Sequence, residues 1–251
     1  MPATRPSFVL CLATLTALTN GFMIVGGSLE AQEVTATVAA DEEGPKNDKA
    51  KALFNGKTLE GWQVLDKYVF KKHGKIEVVE GEIRIEKGSP SAGIQWKGEV
   101  PRVDYELSLQ AKRTEGSDFF CGLTFPIGKE YLTLIIGGWG GGAIGLSNLD
   151  GLAAVENNTC KFLEFENGKY YPIKLRVRAD KVQVWIDGKE EISINPQDHK
   201  LSIWWEQEPC RPLGIATWYT SAAIKDIRLT QLPKAKVEKE SSDESDNNGD
   251  G

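Results

Sequence analysis

This 251-residue chain predicts an all-β fold, two antiparallel sheets stacked as a sandwich, and three features carry that expectation. Apolar and polar residues alternate with a period of two through several segments, and a tight-turn dipeptide joins two of them. No window of the patterned region shows a helical stripe of a dozen residues, and its length favours a two-sheet sandwich over a small barrel.

In chain order, the first clear strand sets Tyr105, Leu107, Leu109 and Ala111 on one side and Glu106, Ser108, Gln110 and Lys112 on the other. That is a half-buried strand. The alternation returns in residues 173–178 (IKLRVR) and 182–186 (VQVWI). Asp187-Gly188 then supplies a pair suited to the positive φ angles of a tight hairpin, leading into residues 191–194 (EISI). Seven tryptophans are present, and most are expected in the core, because large aromatics are highly buried on average.

The ends read differently. Residues 1–31 look like an export signal: Arg5 gives a positive start, and residues 8–13 (FVLCLA) open an apolar stretch that fades through Asn20 and Gly21. The protein is therefore expected in the periplasm, at the cell surface or secreted. Leu29 is bulky for cleavage after Ala31, so a retained signal anchor stays open, the one route by which a membrane becomes a partner. Residues 32–51 are polar and aperiodic, as in a flexible linker, and residues 234–251 form an acidic tail without aromatics that is expected to be disordered. The folded domain is placed at residues 52–233.

A formal net charge of −6 argues against nucleic acid or an anionic membrane surface as the main partner, because both require a basic footprint, and a neutral ligand fits better. Cys121, Cys160 and Cys210 lie in the domain, so at most one internal disulfide is allowed. No C-x-x-C spacing occurs and no metal ligands are assigned. The Asp and Asn residues between Asn148 and Asn158 would permit a calcium ion, although their spacing is not that of an EF-hand loop.

Residues 53–62 (LFNGKTLEGW) resemble the opening motif of the 3-keto-disaccharide hydrolase family, also described as 3-keto-glucoside lyases and hydratases. Residues 76–83 (IEVVEGEI), 104–107 (DYEL), 170–173 (YYPI), 184–188 (VWIDG), 213–216 (LGIA) and 224–229 (IKDIRL) are similar to later strands of that family, so the likeness spans nearly the whole domain. The resemblance implies a concanavalin A-like jelly roll and action on glycosides already oxidised at C3. A ketone there acidifies the C2 proton, so a base can remove it, the C1 aglycone can leave by elimination, and water can then add. Such chemistry needs a base, a group that stabilises the enolate and a donor for the leaving oxygen. Where many members carry an acid after a strand tyrosine, this chain has Leu132 after Tyr131.

Among the acids, Glu206 and Glu208 stand beside Trp204 and Trp205, where a carboxylate can lose solvation and become a base; the competing reading is a solvated loop. Asp118, before an apolar strand, and Glu156 are further candidates for the catalytic acids, while Asp150 reads as a turn residue and His199 as an exposed one. Arg176 and Arg178, with Trp185 across the hairpin, form a row suited to sugar hydroxyls and ring faces, and Trp205 is a further stacking candidate.

Gly140, Gly142 and Gly145 spell G-x-G-x-x-G behind a strand, but residues 143–151 (AIGLSNLDG) hold too many glycines and turn formers to begin the helix that a dinucleotide site requires. These glycines allow close backbone approach and leave Trp139 as the large side chain of the bend, either a platform for a pyranose or a plug on the sandwich. Two functions compete: an exported enzyme cleaving 3-keto-glycosides, or a non-catalytic glycan-binding or adhesion module on the same fold. In either case the partner is an oligosaccharide or glycoside.

Overall fold

The computed structural model describes residues 50–234, and the expected signal segment, most of the linker and nearly all of the acidic tail lie outside them. Among the described residues fifteen strands run in order: β1 (Ala50–Ala52), β2 (Trp62–Val64), β3 (Ile76–Val79), β4 (Glu82–Ile85), β5 (Ser91–Trp96), β6 (Tyr105–Glu115), β7 (Cys121–Ile127) and β8 (Glu130–Gly138). Then come β9 (Ala143–Ser147), β10 (Lys161–Phe162), β11 (Tyr171–Val177), β12 (Val182–Ile186), β13 (Lys189–Ile194), β14 (Leu213–Trp218) and β15 (Ser221–Gln231). They form two antiparallel sheets. The first runs β13-β12-β11-β6-β15-β4-β3 with β1 attached to β15, and the second runs β10-β9-β8-β7-β14-β5-β2. This is the jelly-roll sandwich that the sequence predicts.

The alternation in β6 explains the packing between them. Tyr105, Leu107, Leu109 and Ala111 are buried against the inward side chains of β7, β8 and β14, among them Leu123, Phe125, Leu134 and Ile215. Each leucine, isoleucine and phenylalanine among them contributes about 1.5–3 kcal/mol by leaving water, and Ala111 less. The buried Tyr105 hydroxyl donates to the Pro126 carbonyl at 2.6 Å, so the one polar atom of that ring is satisfied. Asp187 (φ 52°) and Gly188 (φ 79°) make the tight turn between β12 and β13.

Two expectations are corrected. Ala50 and Lys51 belong to a strand and not to the linker: Ala50 stands opposite Thr230 and Ala52 opposite Arg228. A three-residue strand held by backbone hydrogen bonds leaves no apolar pattern to read. Of the seven tryptophans only Trp62 and Trp96 are buried in the core, while Trp139, Trp204 and Trp205 are exposed.

The two outer faces differ. Outward residues of the first sheet are polar, with exposed or half-buried Lys174, Arg176 and Gln183 alternating with buried Ile173, Leu175 and Val184. The second sheet is covered on its outside by chain excursions, and Leu65, Phe70, Phe119, Ile135, Ala154, Cys210 and Ala216 form a smaller apolar cluster there. A pocket opens in that covering layer. No helix among the described residues is long and apolar enough to cross a membrane.

Candidate functional site

The pocket has a volume of about 310 Å³ and lies on the outer face of the second sheet. Thr133 and Ile135 of β8, Ser147 of β9, and Phe119 just before β7 make its floor; Trp139, Trp204 and Trp218 wall it; Asp118, Glu206 and Gln207 supply polar groups. Period two explains the floor: Leu132, Leu134 and Ile136 face the core, so Thr133 and Ile135 must face out. Leu132, where the family resemblance expects an acid, is wholly buried in that core, so the position presents no side chain to the pocket.

Asp118 is fixed by backbone donors. Its Oδ1 accepts from the amides of Phe119 at 2.7 Å and Trp139 at 3.3 Å, which leaves Oδ2 for the pocket. Burial raises its pKa above the ordinary carboxylate value, and those two amides and the Arg113 charge reverse only part of that shift. The Trp139 amide bond ties the acid to a strained turn, because Trp139 adopts φ 47°, a left-handed conformation that bulky residues rarely take.

Glu206 comes from a short 3-10 helix, Trp205–Cys210, whose first turn is closed by the Gln207 amide donating to the Trp204 carbonyl at 2.9 Å. Its Oε2 is buried and has no hydrogen-bond partner in the protein. An orphaned carboxylate oxygen is costly unless a ligand or water completes it.

Of the residues singled out from sequence, the structure thus gathers Asp118, Glu206 and Trp139 at one pocket. Glu208 is not among the lining residues and pairs with Arg211. Glu156 caps its own turn, its Oε2 accepting from the Ala153 amide at 3.0 Å. Trp205 is exposed outside the pocket, and its neighbour Trp204 takes the wall position.

Arg176 and Trp185 lie on the first sheet, on the opposite side of the sandwich, and Arg178 follows directly after β11. Arg176 donates to Glu106 at 2.9 and 3.1 Å, and Arg178 pairs with Asp104 at 2.9 Å. The Trp185 ring is flanked by the Lys174 ammonium at 4.2 Å and the Arg176 guanidinium at 5.1 Å. These side chains are engaged with one another.

The Asn- and Asp-rich segment is also engaged internally. Asn157 donates to the Leu146 and Ala153 carbonyls, and Asp150 accepts from the Lys200 amide at 2.8 Å and pairs with His199 at 2.7 Å. Among the described residues no cluster of three His, Cys, Asp or Glu side chains is placed to hold a metal ion. Cys121, Cys160 and Cys210 are all free, so the disulfide that the count allowed does not form.

The glycine motif has a structural explanation. Gly145 lies inside β9, so the chain continues as a strand where a dinucleotide site needs a helix. A Cβ at Gly145 would fall 2.7 Å from the Ala154 carbonyl oxygen, and one at Gly142 would fall 2.9 Å from that of Leu163. These two glycines let neighbouring segments pack directly on the β8–β9 hairpin.

Arg113 was not visible as a site residue, yet it holds the rim together. It is buried at the end of β6 and donates to the Gly141 carbonyl at 3.1 Å, the Phe165 carbonyl at 2.8 Å and Asn167 Oδ1 at 2.7 Å. One guanidinium therefore joins the glycine turn that carries Trp139 to the loop at residues 165–167.

The family model of the 3-keto-alpha-glucoside-1,2-lyase-like domain matches residues 49–230. The chain belongs to this family. No curated protein is similar enough in sequence to count as a relative. A solved structure from work on the endo-acting O-glycanases by which members of the human gut microbiota initiate mucin breakdown superposes with a TM-score of 0.53 at 13% identity, covering 73% of this chain and 98% of its own. The apo Crh5 transglycosylase is similar with a TM-score of 0.50 at 11% identity, over 74% of this chain and 85% of that one. At these identities the likeness is one of fold. Family membership makes this a carbohydrate-active, glycosyl-hydrolase-like domain.

Proposed function

We propose that the pocket on the second sheet binds a glycoside oxidised at C3 and cleaves it by elimination. The observation that carries this reading is the buried, unpartnered Oε2 of Glu206 beside a second carboxyl group, Asp118, and three indole rings. Glu206 removes the C2 proton, the C2–H electron pair forms the C1=C2 bond, and the C1–O bond to the aglycone breaks. Asp118, whose burial favours the protonated form, delivers a proton from Oδ2 to the departing oxygen. Water then adds across C1=C2 to give the free 3-keto sugar. The Thr133 and Ser147 hydroxyls on the pocket floor, which also bond Thr124 and Asn148, and the Gln207 amide supply neutral groups for sugar hydroxyls, while the indoles face the ring. The reading includes export, on the strength of the N-terminal apolar segment.

Aglycone release from 3-keto-glycosides tests it. Turnover is expected with the full chain, and Glu206→Gln should lower it by about 10²–10⁴-fold with the fold intact. No release across several linkages would overturn the enzymatic reading. The inward Leu132 favours a second one, a glycan-binding module without turnover, and saturable glycan binding with no product would establish it.

A further inference from the structure

Among the described residues eight non-glycine residues have positive φ, and they divide sharply by type. Five are acidic turn residues: Glu80, Asp104, Asp150, Asp187 and Asp226. The other three are aromatic, Tyr68 (φ 55°), Trp139 (φ 47°) and Tyr219 (φ 45°), and all three rings are exposed, by 71%, 45% and 55%. Bulky residues avoid this conformation, and strain of this kind gathers at ligand sites. Glycine or asparagine would make the same turns at lower cost, so the rings themselves are what these positions add.

Strand order places them in a row. Trp139 follows β8, Asp118 precedes β7, and Tyr219 follows β14, so all three lie at the same end of neighbouring antiparallel strands. Phe162 extends the row on edge strand β10. It stands opposite Ala143, on the face away from the core residues Ile144 and Leu146, and is 68% exposed. On the other side, Tyr219 meets Trp218 edge-on at 5.9 Å, and its amide donates to the Pro90 carbonyl next to β5. Tyr68 heads the turn whose Phe70 packs over Gly93 of β5. From β10 to β14 the row crosses four strand intervals, roughly 19 Å at ordinary spacing, with the pocket between its ends.

We propose that the pocket is the middle of a longer binding track whose occupant is an extended glycan chain, with sugar rings beyond the pocket resting on Phe162 on one flank and on Tyr219 and Tyr68 on the other. The inference rests on the carbohydrate reading of the pocket. Separate rings spaced along a line suit successive sugar faces, whereas a protein partner would be met by a continuous apolar patch.

The test is a calorimetric titration with cello-, laminari- and malto-oligosaccharides of two to six residues, and with the same ladders carrying one C3-oxidised residue in the Glu206→Gln protein. Affinity should rise about tenfold or more from the shortest to the longest member of the preferred ladder. Tyr219→Gly and Phe162→Ala should each cut the longest member's affinity about fivefold more than the shortest's. Glycine accepts φ 45° at Tyr219 without strain, and Tyr219→Phe should keep the length dependence, which separates loss of the ring from misfolding. Affinity that is flat with length, or a length dependence untouched by both ring deletions, overturns the track while leaving the pocket reading in place. Failure of every member to bind overturns both.

Discussion

Asp118 and Glu82 are two carboxylates that their surroundings push in opposite directions. Burial raises the Asp118 pKa in the folded protein, so between its ordinary value and the raised one the unfolded chain binds fewer protons than the native state. Stability therefore falls as pH rises through that window. We expect Asp118→Asn, which keeps an acceptor for the Phe119 and Trp139 amides, to melt no lower than wild type at neutral pH and to lose any advantage in acid. Turnover should fall with it; a variant that melts lower at neutral pH would contradict this account. At Glu82 burial also disfavours the charge, but hydrogen bonds from Tyr170, Arg84 and Lys112 more than reverse it and hold the group at about 2. Its contribution is fully present above the ordinary value and lost as pH falls toward 2. Glu82→Gln should cost about 2 kcal/mol at neutral pH by urea denaturation, the scale of hydrogen bonds to a charged group, and the difference should vanish in strong acid.

At the scale of elements, the β8–β9 hairpin and its neighbours hold the site in place. The glycines explain how the chain packs there, and Arg113 explains why the turn keeps its shape. Replacing Arg113 by Met would leave the Gly141 and Phe165 carbonyls without that donor, for an expected loss of about 3 kcal/mol. Hydrogen exchange should quicken at residues 137–142 before it does in β6. Equal protection in both would mean that the turn is held by its own hydrogen bonds. Arg113 was legible in one respect: the inward parity of Tyr105, Leu107, Leu109 and Ala111 continues to it, and a charge at an inward position requires partners. Beyond the nearby Asp118 carbonyl at 3.4 Å, which partners it finds depends on loops 28 and more residues away, which no local pattern encodes.

For the whole molecule, period two made the class and most strands readable, because half-buried strands write their burial into alternation. It could not say which sheet would be covered. Trp185 and Trp139 look alike in sequence, each a large ring near polar or glycine residues. Trp185 instead belongs to the open first sheet, between Lys174 and Arg176, and Trp139 to the pocket on the second. That division comes from the small cluster around Phe70, Phe119 and Ala216, whose members are spread along the chain. It also makes the two faces separable by experiment. Trp185→Ala should weaken packing on the first sheet, at a cost of about 1 kcal/mol from the lost cation–π contacts, while leaving glycan affinity within twofold of wild type. Trp139→Gly keeps the positive φ, removes the pocket wall, and should lower affinity at least tenfold without lowering the melting temperature. The reverse pattern would move the sugar site to the first sheet, where the cationic row would then have to exchange Glu106 and Asp104 for the ligand.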